Sequence, residues 1–320
     1  MKRTSYPRAV SRSLKVAALV AIVMLAVIYA VLRQGRAGRA TRALHVLPST
    51  ARAVLRIDPW ALRRSSAART LLDAFLDAEE LSEIQTTCGL DPIEDLAEVT
   101  VWVRGSERQP FQSFGLALMG GRVDAAQLAE CYEELVDARG GSVRRLEGPT
   151  GPLLASDDRS SAIARVDERT VITGAVRTVA EAMAVRRGLL PTLTERAPIA
   201  TLWPAVSPGA AIAAVLDPPS HWRAALERIT TFDSVASALH GIVAIGLAVR
   251  PGKAQVADVY LDAATPELAA KSAELIGAIA AAPPDAVEPP WDALLRSAKV
   301  AHDGCRVVVR IDVSTLSARR

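Results

Sequence analysis

Histidines and cysteines are the side chains best suited to bind a metal or to act as nucleophiles. They form one close pair, His302 and Cys305, and no CxxC, HExxH or HxH spacing occurs in the sequence. Because a zinc site needs several ligands at short, defined spacings, we expect a buried structural cysteine beside a solvated histidine. No metal and no organic cofactor is therefore predicted.

The two other cysteines are each associated with a predicted helix. Cys88 follows the first helix, and Cys131 lies at the border of the apolar face of the second. If these helices lie side by side, the two thiols form a disulfide in an oxidising compartment. Free thiols are the alternative, because the helix spacing is not encoded locally.

Paired carboxylates would provide general acid and base chemistry. Asp58 and Asp217 each follow an apolar segment, precede proline and occupy equivalent positions in the two halves of the chain. An internal acid pair is one interpretation, and an Asp-Pro step that ends a strand and starts a helix is the commoner one. Asp157 and Asp158 lie in SDDRSS between two alternating segments, which is typical of a hairpin loop.

Signatures of nucleophilic or nucleotide chemistry are absent from the sequence. It contains no G-x-S-x-G, no Walker A motif and no GxGxxG, the patterns that build a nucleophile elbow or cradle phosphate. We therefore predict that the protein is not an enzyme. The alternative is an envelope hydrolase whose acidic residues are brought together only by folding.

One polar surface is predicted near the C-terminus, where two strands carry charged and aromatic side chains at alternate positions. Alternate residues of a strand point to the same face of the sheet. An open face of this composition can bind a peptide or glycan, and an ordinary solvated sheet face is the commoner interpretation. The candidate residues are Asp258, Tyr260, Asp262, Arg306 and Arg310.

The elements that position these residues occur twice. Residues 48–175 and 208–320 each show the order β-α-β-β-α-β, from alternating strands, Asp-Pro breaks and amphipathic helices. This is the order of the ferredoxin-like unit. We predict an α+β protein with two such units, each having its own antiparallel sheet covered by helices on one face. Helices within 176–207 bridge the units.

An uninterrupted apolar segment, Val16–Leu32, precedes the folded part. Its seventeen residues rise about 25 Å as a helix, the short end of what crosses a hydrocarbon core. We predict a transmembrane helix with a short basic cytoplasmic tail over 1–15 and a linker over 33–47. A cleavable signal peptide is the alternative. The predicted location is the bacterial inner membrane, single-pass, with the C-terminal part extracytoplasmic.

The charge distribution argues against nucleic acid as a partner. The whole chain has a net charge of +3. Its first 42 residues contain nine basic and no acidic residues, so residues 43–320 carry a net charge of −6. A nucleic-acid-binding domain carries a basic face, whereas basic residues beside an apolar segment favour anionic lipid. Arginine outnumbers lysine 33 to 5, which is typical of a GC-rich bacterial genome.

Three short stretches resemble a loose group of uncharacterised bacterial envelope proteins that are membrane- or signal-anchored. They are Leu47-Pro48, Ala53–Asp58 and Gly89–Leu96, which match the LP, AVLRID-like and GLDP-x-x-DL motifs of that group. The resemblance implies an envelope location and no particular activity. With the anchor and the lack of reactive motifs, it leads us to predict a membrane-tethered, non-enzymatic protein. Its predicted partner is an envelope protein or the cell-wall matrix.

Overall fold

The computed structural model describes residues 46–66, 68, 78–105, 113–148, 150–218, 241–251, 256–283 and 291–314. Within them the chain forms twelve strands and eight α-helices. The strands are β1 (Ala51–Ile57), β2 (Leu96–Arg104), β3 (Ser113–Gly120), β4 (Val143–Leu146), β5 (Leu153–Ser156), β6 (Ala162–Arg165), β7 (Thr170–Gly174), β8 (Ile212–Leu216), β9 (Ile242–Val249), β10 (Val256–Ala263), β11 (Lys299–Asp303) and β12 (Arg306–Asp312). The helices are α1 (Pro59–Arg63), α2 (Ala78–Cys88), α3 (Pro92–Asp95), α4 (Ala125–Ala138), α5 (Val176–Arg186), α6 (Ala197–Val206), α7 (Pro266–Ala281) and α8 (Trp291–Ser297).

The predicted transmembrane helix, Val16–Leu32, lies outside the described residues. None of the helices given above combines the length and the apolar character needed to cross a membrane. The anchor therefore stays a prediction from sequence.

The twelve strands form one antiparallel sheet. Their order is β11-β12-β10-β9-β8-β1-β2-β3-β7-β6-β5-β4. The first strand of each half, β1 and β8, pair with each other at the centre, in a register that runs from Ala53 opposite Leu216 to Ile57 opposite Ile212. The prediction of two ferredoxin-like units with separate sheets is therefore wrong.

The burial of β1 and β8 explains this difference. Six of the seven residues of β1 are buried, as are four of the five residues of β8. Strands that are buried on both faces belong in the interior of a sheet. Because β1 pairs with β2 on one edge and with β8 on the other, no edge of β1 remains for the strand that the ferredoxin-like order would place beside it.

Helices cover both faces of the sheet, not one face as predicted. We call one side the α6 face, where Val54, Trp102 and Ala244 pack beneath α5 and α6. We call the other side the α7 face. There α1, α4, α7 and α8 cover the opposite side chains of the same strands, including Leu55 and Val309. The segment 176–207, predicted to bridge two units, contains α5, a short 3-10 helix and α6 on the α6 face of the shared sheet.

Glycines allow close packing on the α6 face. Gly115 lies opposite Trp102 in the register of β2 and β3, and a Cβ at this glycine would overlap the buried indole ring. Gly246 on β9 lies beneath α6, where a Cβ would be 2.9 Å from Val206 Cγ1 and 3.1 Å from Leu202 Cδ2. The missing side chain therefore lets α6 pack directly onto β9, next to the strands that carry the candidate residues.

A disulfide joins two helices of the first half. Cys88 is the last residue of α2, Cys131 lies within α4, and their Cα atoms are 5.0 Å apart. Of the two alternatives that the sequence leaves open, the structure therefore has the bonded pair. The contact between α2 and α4 is extended by Arg139, which donates from Nε and Nη2 to the two carboxylate oxygens of Glu83 at 2.9 and 2.6 Å.

Candidate functional site

The five candidate residues lie together on the α6 face of two neighbouring strands. In the register of β10 and β12, Asp258 is opposite Arg310 and Asp262 is opposite Arg306, with Tyr260 between the two carboxylates. Directly opposed side chains of an antiparallel pair have their Cβ atoms about 5 Å apart. Opposite charges at these positions are therefore close enough to form ion pairs.

Both cross-strand ion pairs form with two hydrogen bonds each. Arg306 donates from Nε to Asp262 Oδ1 at 2.6 Å and from Nη2 to Oδ2 at 2.8 Å. Arg310 donates from Nε to Asp258 Oδ1 at 2.8 Å and from Nη2 to Oδ2 at 3.4 Å. Bidentate pairs of this kind fix the orientation of both partners, so the four side chains form a rigid pattern across the two strands.

Arg250, which the sequence analysis did not select, completes the cluster. Its Nη1 donates to Asp258 Oδ2 at 2.9 Å and lies 3.2 Å from the Tyr260 hydroxyl, while its Nη2 donates to the carbonyl oxygen of Ala205 at 2.9 Å. The alternation of β9 contained the signal, because Arg250 continues the series of Gly246 and Ala248 on the same face. We call the six residues, Arg250, Asp258, Tyr260, Asp262, Arg306 and Arg310, the arginine ladder.

The arginine ladder presents cations outward and keeps its carboxylates inside. Asp258 and Asp262 are 7% and 9% exposed, whereas the side chain of Arg310 is 60% exposed. Hydrogen bonding to Asp262 raises the pKa of Arg306, and hydrogen bonding to Asp258 raises the pKa of Arg310. Both guanidinium groups therefore stay charged while they bind the two aspartates.

The edge strand β11 extends this surface. Lys299 lies opposite Arg310 and Asp303 lies opposite Arg306, so both side chains share the face of the ladder. Both residues are exposed. Lys299 and Arg310 thus form an outward-facing pair of cations on neighbouring strands.

Asp58 and Asp217 do not form an internal acid pair, so the commoner interpretation of the Asp-Pro steps holds for them. Asp58 caps α1 by accepting a hydrogen bond from the Ala61 amide at 2.8 Å. Asp217 is 5% exposed and accepts from Arg52 Nη1 at 3.1 Å and from Arg196 Nε at 2.9 Å. The two aspartates follow opposite ends of the β1–β8 pair, and four strand residues alone span about 13 Å. They therefore cannot act on one substrate atom.

The two remaining candidate pairs lie in separate hairpins, in opposite halves of the sheet. His302 and Cys305 are both exposed, so the predicted burial of Cys305 is wrong, because this residue lies in the turn between β11 and β12. Asp157 and Asp158 lie in the β5–β6 loop as expected, and hydrogen bonds from Ser156 and Ser160 lower the pKa of Asp158. Within the described ranges, no group of three or more His, Cys, Asp or Glu is arranged to hold a metal ion.

Comparisons with solved structures find a distant likeness to the protein TP0453. No family model and no curated protein matches the chain. Crystal form III of the protein TP0453 aligns over 86% of this chain and 96% of that chain, with a TM-score of 0.46 and 11% identity. Crystal form I aligns over 87% and 96%, with a TM-score of 0.46 and 10% identity. A likeness of this degree carries no argument about function.

Proposed function

We propose that this chain is a membrane-tethered, extracytoplasmic protein with a non-enzymatic binding role in the cell envelope. The observation that carries the proposal is the disulfide between Cys88 and Cys131. Disulfides persist in oxidising compartments and are rare in the cytosol. The apolar segment Val16–Leu32 supplies the tether that keeps the folded part beside the inner membrane.

The arginine ladder supports binding of an acidic partner. Its own carboxylates are engaged by Arg250, Arg306 and Arg310. The exposed cations beside them are Arg310 and Lys299, and the exposed Asp303 carboxylate lies at the other end of β11, opposite Arg306. Arg310 binds Asp258 through Nε and Nη2, so its Nη1 and the ammonium of Lys299 are the groups that can donate charge-assisted hydrogen bonds to a further carboxylate. We therefore propose that the partner, an envelope protein or a cell-wall polymer, presents carboxylate groups to this surface.

The tether is tested by fractionating cells that express the full-length chain, and the compartment by labelling the thiols of the same chain. We expect alkaline carbonate to leave the full-length chain in the membrane pellet, and a chain starting at Leu47 to be released. A maleimide mass tag should modify one thiol, that of Cys305, before reduction and three thiols after it, because the other two are joined. A mature N-terminus near Thr41, or three reactive thiols without reduction, would contradict the proposal.

Binding is tested by retention on immobilised poly-glutamate, a simple polymer of carboxylates. We expect Lys299→Gln/Arg310→Gln to weaken retention about tenfold, since two exposed charge contacts contribute roughly 0.5–1 kcal/mol each. The matched control is Arg144→Gln/Arg145→Gln, which removes two exposed cations from β4 at the opposite edge of the sheet. Equal weakening by both double variants would show that retention follows net charge and not this surface.

A further inference from the structure

Two adjacent leucines are exposed on the loop that follows α5. Leu189 is 61% exposed and Leu190 is 41% exposed. The described residues contain two other large apolar side chains that are this exposed, Trp60 and Phe114, and they are not adjacent in sequence. The indole of Trp60 is covered by the guanidinium of Arg64, 3.4 Å from the ring centroid. Among the large apolar side chains of the described residues, only Leu189 and Leu190 are both exposed and adjacent in sequence.

Basic residues accompany the leucines. Arg186 is the last residue of α5, Arg187 follows it, and Gly188 has a φ of +71°, the left-handed conformation that commonly ends a helix. The two leucines follow this glycine, so the sequence places two cations and two large apolar side chains within five residues. Apolar side chains next to cations are the composition of segments that lie in the interface of an anionic bilayer.

This loop lies beside the point where the N-terminal segment joins the fold. The Ser49 amide donates to the carbonyl oxygen of Pro191 at 3.1 Å, and the Leu193 amide donates to the carbonyl oxygen of Leu47 at 2.8 Å. Pro48 also forms an isolated bridge with Thr192. The chain therefore enters the described part of the structure next to the leucine pair.

The tether holds this loop within reach of the bilayer. The fourteen residues after Leu32, up to Val46, span at most roughly 50 Å when fully extended. Residues 33–45 contain four arginines and no acidic residue, so their charge favours the surface of an anionic membrane. A weak contact becomes populated under these conditions, because tethering raises the effective concentration of the second site.

We infer that Arg186–Leu190 forms a second membrane contact, in which Leu189 and Leu190 enter the interface and the exposed Arg186 meets anionic headgroups. This inference rests on the proposed tether. The membrane that this loop contacts is the same bilayer in which the predicted helix Val16–Leu32 is embedded. The arginine ladder stays available to another partner, because Arg187 lies against Gly151, just before β5, and β5 and the ladder strands lie in opposite halves of the sheet.

The test uses the full-length chain with Cys305→Ser, reconstituted in vesicles of phosphatidylethanolamine and phosphatidylglycerol. A polarity-sensitive dye is attached at Leu190→Cys, and the matched control carries it at Glu274→Cys, an exposed position of α7 on the α7 face. We expect lipid-borne nitroxide to quench the dye at position 190 and not at position 274. Replacing phosphatidylglycerol by phosphatidylcholine should reduce this quenching, because Arg186 and the arginines of residues 33–45 then lose their anionic partner.

Flotation of the vesicles separates failure of the inference from failure of the tether. A chain that does not float with the vesicles contradicts the tether and the proposed function with it. A chain that floats but leaves position 190 unquenched overturns only the membrane contact, and so does equal quenching at positions 190 and 274. If Leu190→Cys fails to fold, the same measurement is made with Leu189→Cys, whose parent side chain is the more exposed of the two.

Discussion

Replacing Val309 by aspartate is expected to unfold the protein or to leave it insoluble. Val309 is 6% exposed and belongs to the apolar cluster beneath α7, with Leu261, Ala269 and Val307. A carboxylate at this position would have to be buried in an apolar environment, which costs several kcal/mol even when the group becomes protonated. That cost is a large part of a total stability of about 5–15 kcal/mol. Urea denaturation and the soluble fraction after expression measure the effect.

The neighbouring residue provides the matched control, because Arg310 points to the other face of the same strand. Arg310→Ala should lower the free energy of unfolding by roughly 0–1 kcal/mol, the usual contribution of an exposed ion pair. Asp258 would keep its hydrogen bond from Arg250 at 2.9 Å. Alanine is a better choice than aspartate, which would place a second carboxylate opposite the buried Asp258. Equal losses for Val309→Asp and Arg310→Ala would mean that β12 is buried on both faces.

Five of the six residues of the arginine ladder could be predicted because they follow the local alternation of two strands. Tyr260 lies two residues from Asp258 and from Asp262, so strand geometry alone puts the three on one face. The pairing of each aspartate with its arginine depends on the register between β10 and β12, which the two segments do not encode separately. Arg250 follows the same alternation, but its role depends on the pairing of β9 with β10 and on the position of α6, which supplies the Ala205 carbonyl.

The overall topology could not be predicted, because local patterns do not specify which strand edges meet. Two continuous halves of one sheet and two ferredoxin-like units have the same order of elements along the chain. The arginines of β1 also obscured its burial. Arg52 and Arg56 alternate with apolar residues and suggest a solvated face, yet Arg52 binds Asp217 of the other half. Arg56 donates to the carbonyl oxygen of Ser207 at 2.6 Å.

Asp58 and Asp217 occupy equivalent positions in the sequence but have different roles in the structure. Both Asp58 and Asp217 follow a central strand and precede proline. Asp58 is partly exposed and its hydrogen bond satisfies the first turn of α1. Asp217 instead joins the two halves of the chain, since its ion partners are Arg52 on β1 and Arg196 at the start of α6. The two residues should therefore differ in their contribution to stability.

Asp217→Leu is expected to lower the free energy of unfolding by about 3–5 kcal/mol, the usual cost of breaking a buried ion pair by removing one partner. The loss arises because the guanidinium of Arg52, on a residue that is 9% exposed, would remain buried without the carboxylate that it now binds. Asp58→Ala should cost only about 0.5–2 kcal/mol, the usual contribution of a helix N-cap. Urea denaturation of the two variants, with the midpoint and the slope fitted separately, measures the difference.

Adding Arg52→Leu to Asp217→Leu should recover part of the loss, because the buried cation is removed as well. If Asp217→Leu costs no more than Asp58→Ala, Asp217 is not an electrostatic link between β1 and β8, and their pairing then depends on backbone hydrogen bonds and apolar packing.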